Sequence, residues 1–159
     1  MSWQRFHRRT AAVRFVLERF GNAPEHLPHP REHAELSPVF TDDHDMLGAL
    51  QHKWINQLMG RLERRLSESA DHTAERLEAT RLAWEETATA NPELRRILDH
   101  HLPTAHGEAL RALRAEQRLL AVSSGLVDHD GAPSETDRTG EALLRLLRGT
   151  REQHEPVTV

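Results

Sequence analysis

Residues 41–66 read TDDHDMLGALQHKWINQLMGRLERRL, and this stretch decides the fold. Leu47, Leu50, Trp54, Leu58, Leu62 and Leu66 recur at steps of three and four. That spacing draws one apolar stripe along a helix. Thr41 reads as the N-cap, and Asp42, Asp43 and Asp45 place carboxylates in the first turn, where the helix dipole favours them. The helix should end near Ser67 to Ala70.

Working outward toward the C-terminal side, Asp71 to Ala90 carries a sparser stripe of Ala74, Leu77, Trp84 and Ala88. Asn91-Pro92 reads as an N-cap followed by a first-turn proline. It opens a short helix bearing Leu94, Ile97, Leu98 and Leu102, so this region reads as one broken rod. Pro103 then opens a helix with Leu110, Leu113 and Leu120, ending at Ser124-Gly125. Ser134 with Asp137 resembles a capping box and starts a last helix with Leu143, Leu144 and Leu147. On the N-terminal side, residues 21–40 contain Pro24, Pro28, Pro30 and Pro38 together with His26, His29 and His33. Twenty residues is long for a plain connection, so this loop is expected to be functional or to wrap the surface. Before it, Trp3, Phe6, Thr10, Val13, Leu17 and Phe20 form another helical stripe. The expectation is an all-α antiparallel bundle of four to five helices, one domain overall. Residues 1–20 form a basic amphipathic helix, 21–40 a Pro/His-rich loop, 41–151 the bundle core and 152–159 a flexible tail.

Composition agrees. The 159 residues suit one domain. Eighteen Ala and 22 Leu against 7 Val and 2 Ile favour helix over strand. The absence of cysteine excludes disulfide scaffolds, thiolate-bound zinc, iron–sulfur clusters and thiol nucleophiles. No apolar run approaches the roughly 18 residues of a membrane span, and no signal peptide is evident, so a cytoplasmic location is expected. Twenty Arg against one Lys suggests GC-rich, bacterial coding. The eight glycines are scattered, with no phosphate-binding loop and no His-Glu-x-x-His run.

Twelve histidines are the compositional excess. His44, three residues before Leu47, falls on the apolar face of its helix. His101, four after Ile97, does the same, and His106 leads the line His106, Leu110, Leu113, Gln117, Leu120. His72 and His100 point away, and His52 lies at a stripe edge. In an up-down-up order, His44, His101 and His106 would converge at one bundle end near Asp42, Asp43, Asp45 and Asp99. Gln51 and Gln117 would lie deeper as a polar seam. Caps, carbonyls or water can satisfy such histidines. Alternatively, neutral imidazoles with a carboxylate suit Zn, Fe or Mn, or the cluster responds to pH.

Thr41–Leu47 and His106-Gly107-Glu108-Ala109-Leu110 resemble the His-bearing helix starts of hemerythrin-like proteins. That resemblance implies a non-haem di-iron centre inside a four-helix bundle. The intervening helix differs, since His72 and Glu75 both lie off its apolar face. Val39-Phe40 with Leu47, Ala49 and Leu50 is similar to the stretch after the DNA-reading helix of TetR-type repressors. Upstream there is one helix and a Pro-rich loop, without a helix-turn-helix.

The first helix sets Arg5, Arg8, Arg9, Arg14 and Arg19 against Glu18, giving +4 and leaving −8 for the remainder of a chain of net −4. It either packs Trp3, Phe6, Val13 and Leu17 on the bundle, or offers an amphipathic surface to an anionic membrane or a partner protein. Nucleic acid is not expected of an acidic chain. The leading reading is a non-enzymatic interaction or regulatory module, homo-oligomeric through the off-stripe Leu82, Leu119 and Leu146, with no cofactor. The alternatives are a His/carboxylate metal-binding bundle taking Zn or Fe, and a small-ligand-sensing helical domain.

Overall fold

A computed structural model describes residues 2–154. Among them are six α-helices and no strand: α1 Trp3–Phe20, α2 Asp43–Glu68, α3 Thr73–Ala90, α4 Pro92–His101, α5 Gly107–Ser123 and α6 Pro133–His154. The chain is all-α. The count exceeds four to five because the rod breaks fully at Asn91, whose φ of −136° and ψ of 60° are not helical. Steric clash with the following Pro92 ring disfavours helical geometry there. No helix among the described residues is long and apolar enough to cross a membrane.

The chain falls into two compact units. The first comprises Met1–Ile55 and Asn91–Leu113, the second Asn56–Ala90 and Arg114–Val159. In the first, Val16, Leu36, Phe40, Met46, Leu50, Trp54, Leu94, Ile97, Leu98 and Ala109 are buried. The Pro/His-rich segment belongs to this unit and is an ordered part of it. Single 3₁₀ turns at Pro24–His26 and Pro30–Glu32 and a turn closed by Val39 and Phe40 N–H groups on the Leu36 carbonyl satisfy its backbone. Leu36 and Phe40 anchor it in the core. At the start of α2 the carboxylate of Asp42 accepts the Asp45 N–H at 2.8 Å, and Asp45 accepts the Thr41 N–H at 3.0 Å. The N-cap is therefore Asp42, one residue beyond the threonine expected, because the carboxylate reaches the N3 donor.

In the second unit α3 buries Ala79, Thr80, Ala83, Trp84, Thr87 and Ala88. Small side chains permit close packing, and the two buried threonines return their hydroxyls to the Arg76 and Ala83 carbonyls at 2.8 and 2.7 Å. The approach of α6 to α5 is closer still: a Cβ at Gly140 would strike the Gln117 backbone. Further boundaries shift by a few residues. Pro103 lies in a 3₁₀ turn, Leu102–Thr104, and α5 starts only at Gly107. Helix α6 starts at Pro133 and continues to His154, so residues 152–154 of the expected tail are helical and 155–159 lie outside the described residues.

Candidate functional site

Helix α1 begins with Ser2, whose hydroxyl accepts the Arg5 N–H at 3.3 Å. Its packed face is Ala12, Val13 and Val16. Arg9 reinforces that face: its guanidinium bonds Asp45 of α2 at 3.3 Å and lies 5.3 Å from the centre of the Phe40 ring. The centre of this face is turned by about 80° from that of the stripe Trp3, Phe6, Thr10, Val13, Leu17 and Phe20, counting 100° per residue, with Val13 common to both. The consequence falls on the first two turns. Every residue from Ser2 to Arg8 is exposed, with Trp3 at 74% and Phe6 at 56% of full accessibility. The packing of these aromatics on the bundle does not occur. Instead they flank His7, whose ring lies 4.1 Å from Trp3 and 5.8 Å from Phe6.

Arg5, Arg8, Arg14 and Arg19 are also exposed, whereas Arg9 is engaged by Asp45. The first acidic residue of the helix is Glu18. The beginning of α1 therefore presents apolar rings amid uncompensated positive charge.

The histidines divide. His44 and His106 meet, ring centroids 3.4 Å apart. Gly48, one turn beyond His44, sits where α2 passes close to the start of α5: a Cβ there would lie 2.8 Å from the Glu108 side chain. The His44 Nδ1 is buried and has no hydrogen-bond partner among the described residues. His106, expected to face inward, is exposed, since α5 starts one residue after it. His101 takes a different partner: its Nε2 bonds the Pro24 carbonyl at 2.5 Å, fastening α4 to the Pro/His-rich segment. The carboxylates expected near the histidines have structural tasks. Asp42 and Asp45 cap α2, Asp43 lies 3.9 Å from His29, and Asp99 pairs with Arg95 at 2.8 Å. Among the described residues no group of three or more His, Asp or Glu is arranged to hold a metal ion.

Gln51 is buried in the first unit and Gln117 is half-buried in the second. Two buried charges were not anticipated. Arg95 is fully buried in the first unit, its guanidinium 4.5 Å from the centre of the Trp54 ring. Glu116 is fully buried in the second, where it accepts the Trp84 indole N–H at 3.2 Å. The spacing carried a signal for Glu116, which stands three after Leu113 and four before Leu120. The inward face of α5 runs through Ala109, Ala112, Leu113, Glu116 and Leu120, one position round from the line that led to Gln117.

Of the off-stripe leucines, Leu146 is 68% exposed, while Leu82 and Leu119 are half-buried. Leu82 lines an open groove of about 680 Å³ with Arg61, Arg64, Glu85 and Glu86. Arg64 and Arg65 both pair with Glu86 there, and Arg81 pairs with Glu85. Its charges are largely matched from within, which suits a solvated salt-bridged surface better than a ligand pocket.

No family model and no curated protein matches the chain. Among solved structures, a Rhodococcus sp. RHA1 protein of unknown function is similar, with a TM-score of 0.57 and 20% identity. The likeness covers 89% of this chain and 78% of that one, and it extends to the fold alone.

Proposed function

We propose that the protein is a non-enzymatic interaction module whose contact surface is the beginning of α1. The observation that carries this reading is the exposure of Trp3 and Phe6 on a helix already docked through Ala12, Val13 and Val16. Single exposed apolar side chains are ordinary on a protein surface. Two adjacent aromatics are less so, because large rings dominate the energetics of contacts.

The test is retention. Full-length wild type and Trp3→Ala/Phe6→Ala, each immobilised through the opposite end of the chain, are exposed to an extract of cells expressing the protein. The reading expects a retained species that the double variant loses. Identical retention by both counts against it. Sedimentation equilibrium over a wide concentration range addresses the homo-oligomer directly, and a strict monomer excludes that form of the reading.

A second reading, metal binding, is favoured by one observation: the contact of the His44 and His106 rings with a buried, unpartnered Nδ1. Two imidazoles suit Zn or Fe. Titration of untagged protein with Zn²⁺ tests it. Equal binding by wild type and His44→Ala/His106→Ala counts against this second reading.

A further inference from the structure

We propose that the occupant of the α1 surface is an anionic lipid bilayer, on which the first two turns lie as a peripheral anchor. The proposal rests on the interaction reading above and names its partner. Three observations support it. Ser2 to Arg8 are exposed on every side of the helix, so these turns can enter an interface without unpacking the protein. Trp3 and Phe6 supply ring surface at 74% and 56% exposure, and amphipathic rings partition to the headgroup level of a bilayer. Arg5, Arg8 and Arg14 are exposed and unmatched by any acid before Glu18.

A second copy fits this face less well. An isologous dimer sets the same patch against itself, bringing Arg5 and Arg8 of both chains together with no carboxylate between them. An acidic bilayer gains where that dimer loses. Each basic residue near an anionic surface contributes through its potential, falling off within a Debye length. Three arginines give a preference for anionic over neutral vesicles on the order of 100-fold. Such a helix sits about 5–10 Å into the headgroup boundary, a depth the first two turns alone can supply.

The experiment uses the full chain with vesicles of phosphatidylcholine alone and of phosphatidylcholine with phosphatidylglycerol. The readouts are co-sedimentation and acrylamide quenching of tryptophan. Trp54 and Trp84 are fully buried, so quenching reports Trp3. Anionic vesicles should shield Trp3 and carry the protein down. Neutral vesicles should do neither. High salt should reverse the binding, and Arg5→Gln/Arg8→Gln should weaken it by roughly tenfold or more. Trp3→Ala/Phe6→Ala should lose co-sedimentation while keeping the wild-type thermal midpoint. Equal binding to both vesicle types, unchanged binding by Arg5→Gln/Arg8→Gln, or no binding to anionic vesicles overturns the proposal. If Trp3 is shielded by raising protein concentration without lipid, the lipid is the wrong occupant but the contact surface stands. Retention that is identical in wild type and Trp3→Ala/Phe6→Ala removes the surface itself.

Discussion

The three tryptophans sit in two kinds of place. Trp54 and Trp84 are fully buried, and each has a buried charged group against it. Arg95 lies over the Trp54 ring and Glu116 accepts the Trp84 N–H. Trp3 is three-quarters exposed, with the His7 ring beside it. The buried pair shows how this chain treats an indole it uses for the core: ring enclosed, polar edge or face satisfied. Trp3 receives neither treatment, and its neighbours add unmatched arginines. Removing a core tryptophan and removing Trp3 should therefore have opposite signatures, one in stability and the other in binding.

The largest expected effect is on the core. Trp54→Ala or Trp84→Ala should cost about 3–5 kcal/mol of unfolding free energy, measured by urea denaturation. A loss below about 1 kcal/mol would mean that these rings are not core elements and would dissolve the comparison. Trp84→Phe keeps most of the ring but takes one donor from the buried Glu116 carboxylate. Leaving a buried acceptor short of a donor costs about 1–3 kcal/mol, so this variant should fall between wild type and Trp84→Ala.

The exposed carboxylate Glu78 gives the contrast for buried Glu116. Its bonds to Arg81 at 2.5 and 2.8 Å hold its carboxyl below the usual carboxylate range. A carboxyl whose folded value is lowered stabilises fully above its unfolded value and loses that contribution as pH falls through the folded value. Glu78→Gln should thus cost a few tenths of a kcal/mol near neutrality, and wild type and variant should converge once the pH has fallen below the lowered folded value. A penalty that persists in acid would show that the side chain acts through packing.

A stability effect as small as that at Glu78 is expected at Trp3. Trp3→Ala/Phe6→Ala should shift unfolding by no more than about 0.5 kcal/mol, as for other surface substitutions. A loss comparable to that of Trp84→Ala would mean that the first turns of α1 are structural after all.

Much of the fold was legible because helix periodicity is local. The α2 stripe from Leu47 to Leu62 is buried as its spacing implies, and the proline after Asn91 marked the break between α3 and α4. Orientation was less legible. In α1 two apolar faces compete, and the large aromatics drew the reading toward Trp3 and Phe6, while the small Ala12 and Val16 admit the closer packing. The same bias hid Glu116, a charged residue at an inward position that a buried indole partner makes tolerable. For the site, the meeting of His44 and His106 was legible from their places at helix starts. The bond of His101 to the Pro24 carbonyl was not, because it depends on how a proline-rich segment folds back over more than seventy residues of chain. The arginine face of α1 was visible as charge. Which of its arginines are engaged required tertiary placement, which assigns Asp45 to Arg9 and leaves Arg5 and Arg8 exposed.

The most direct measurement is acrylamide quenching of the full chain with and without phosphatidylglycerol-containing vesicles. The account predicts one readily quenched tryptophan in buffer that becomes shielded on anionic vesicles and stays quenchable on neutral ones. A Trp3 that remains as accessible on anionic vesicles as in buffer contradicts it.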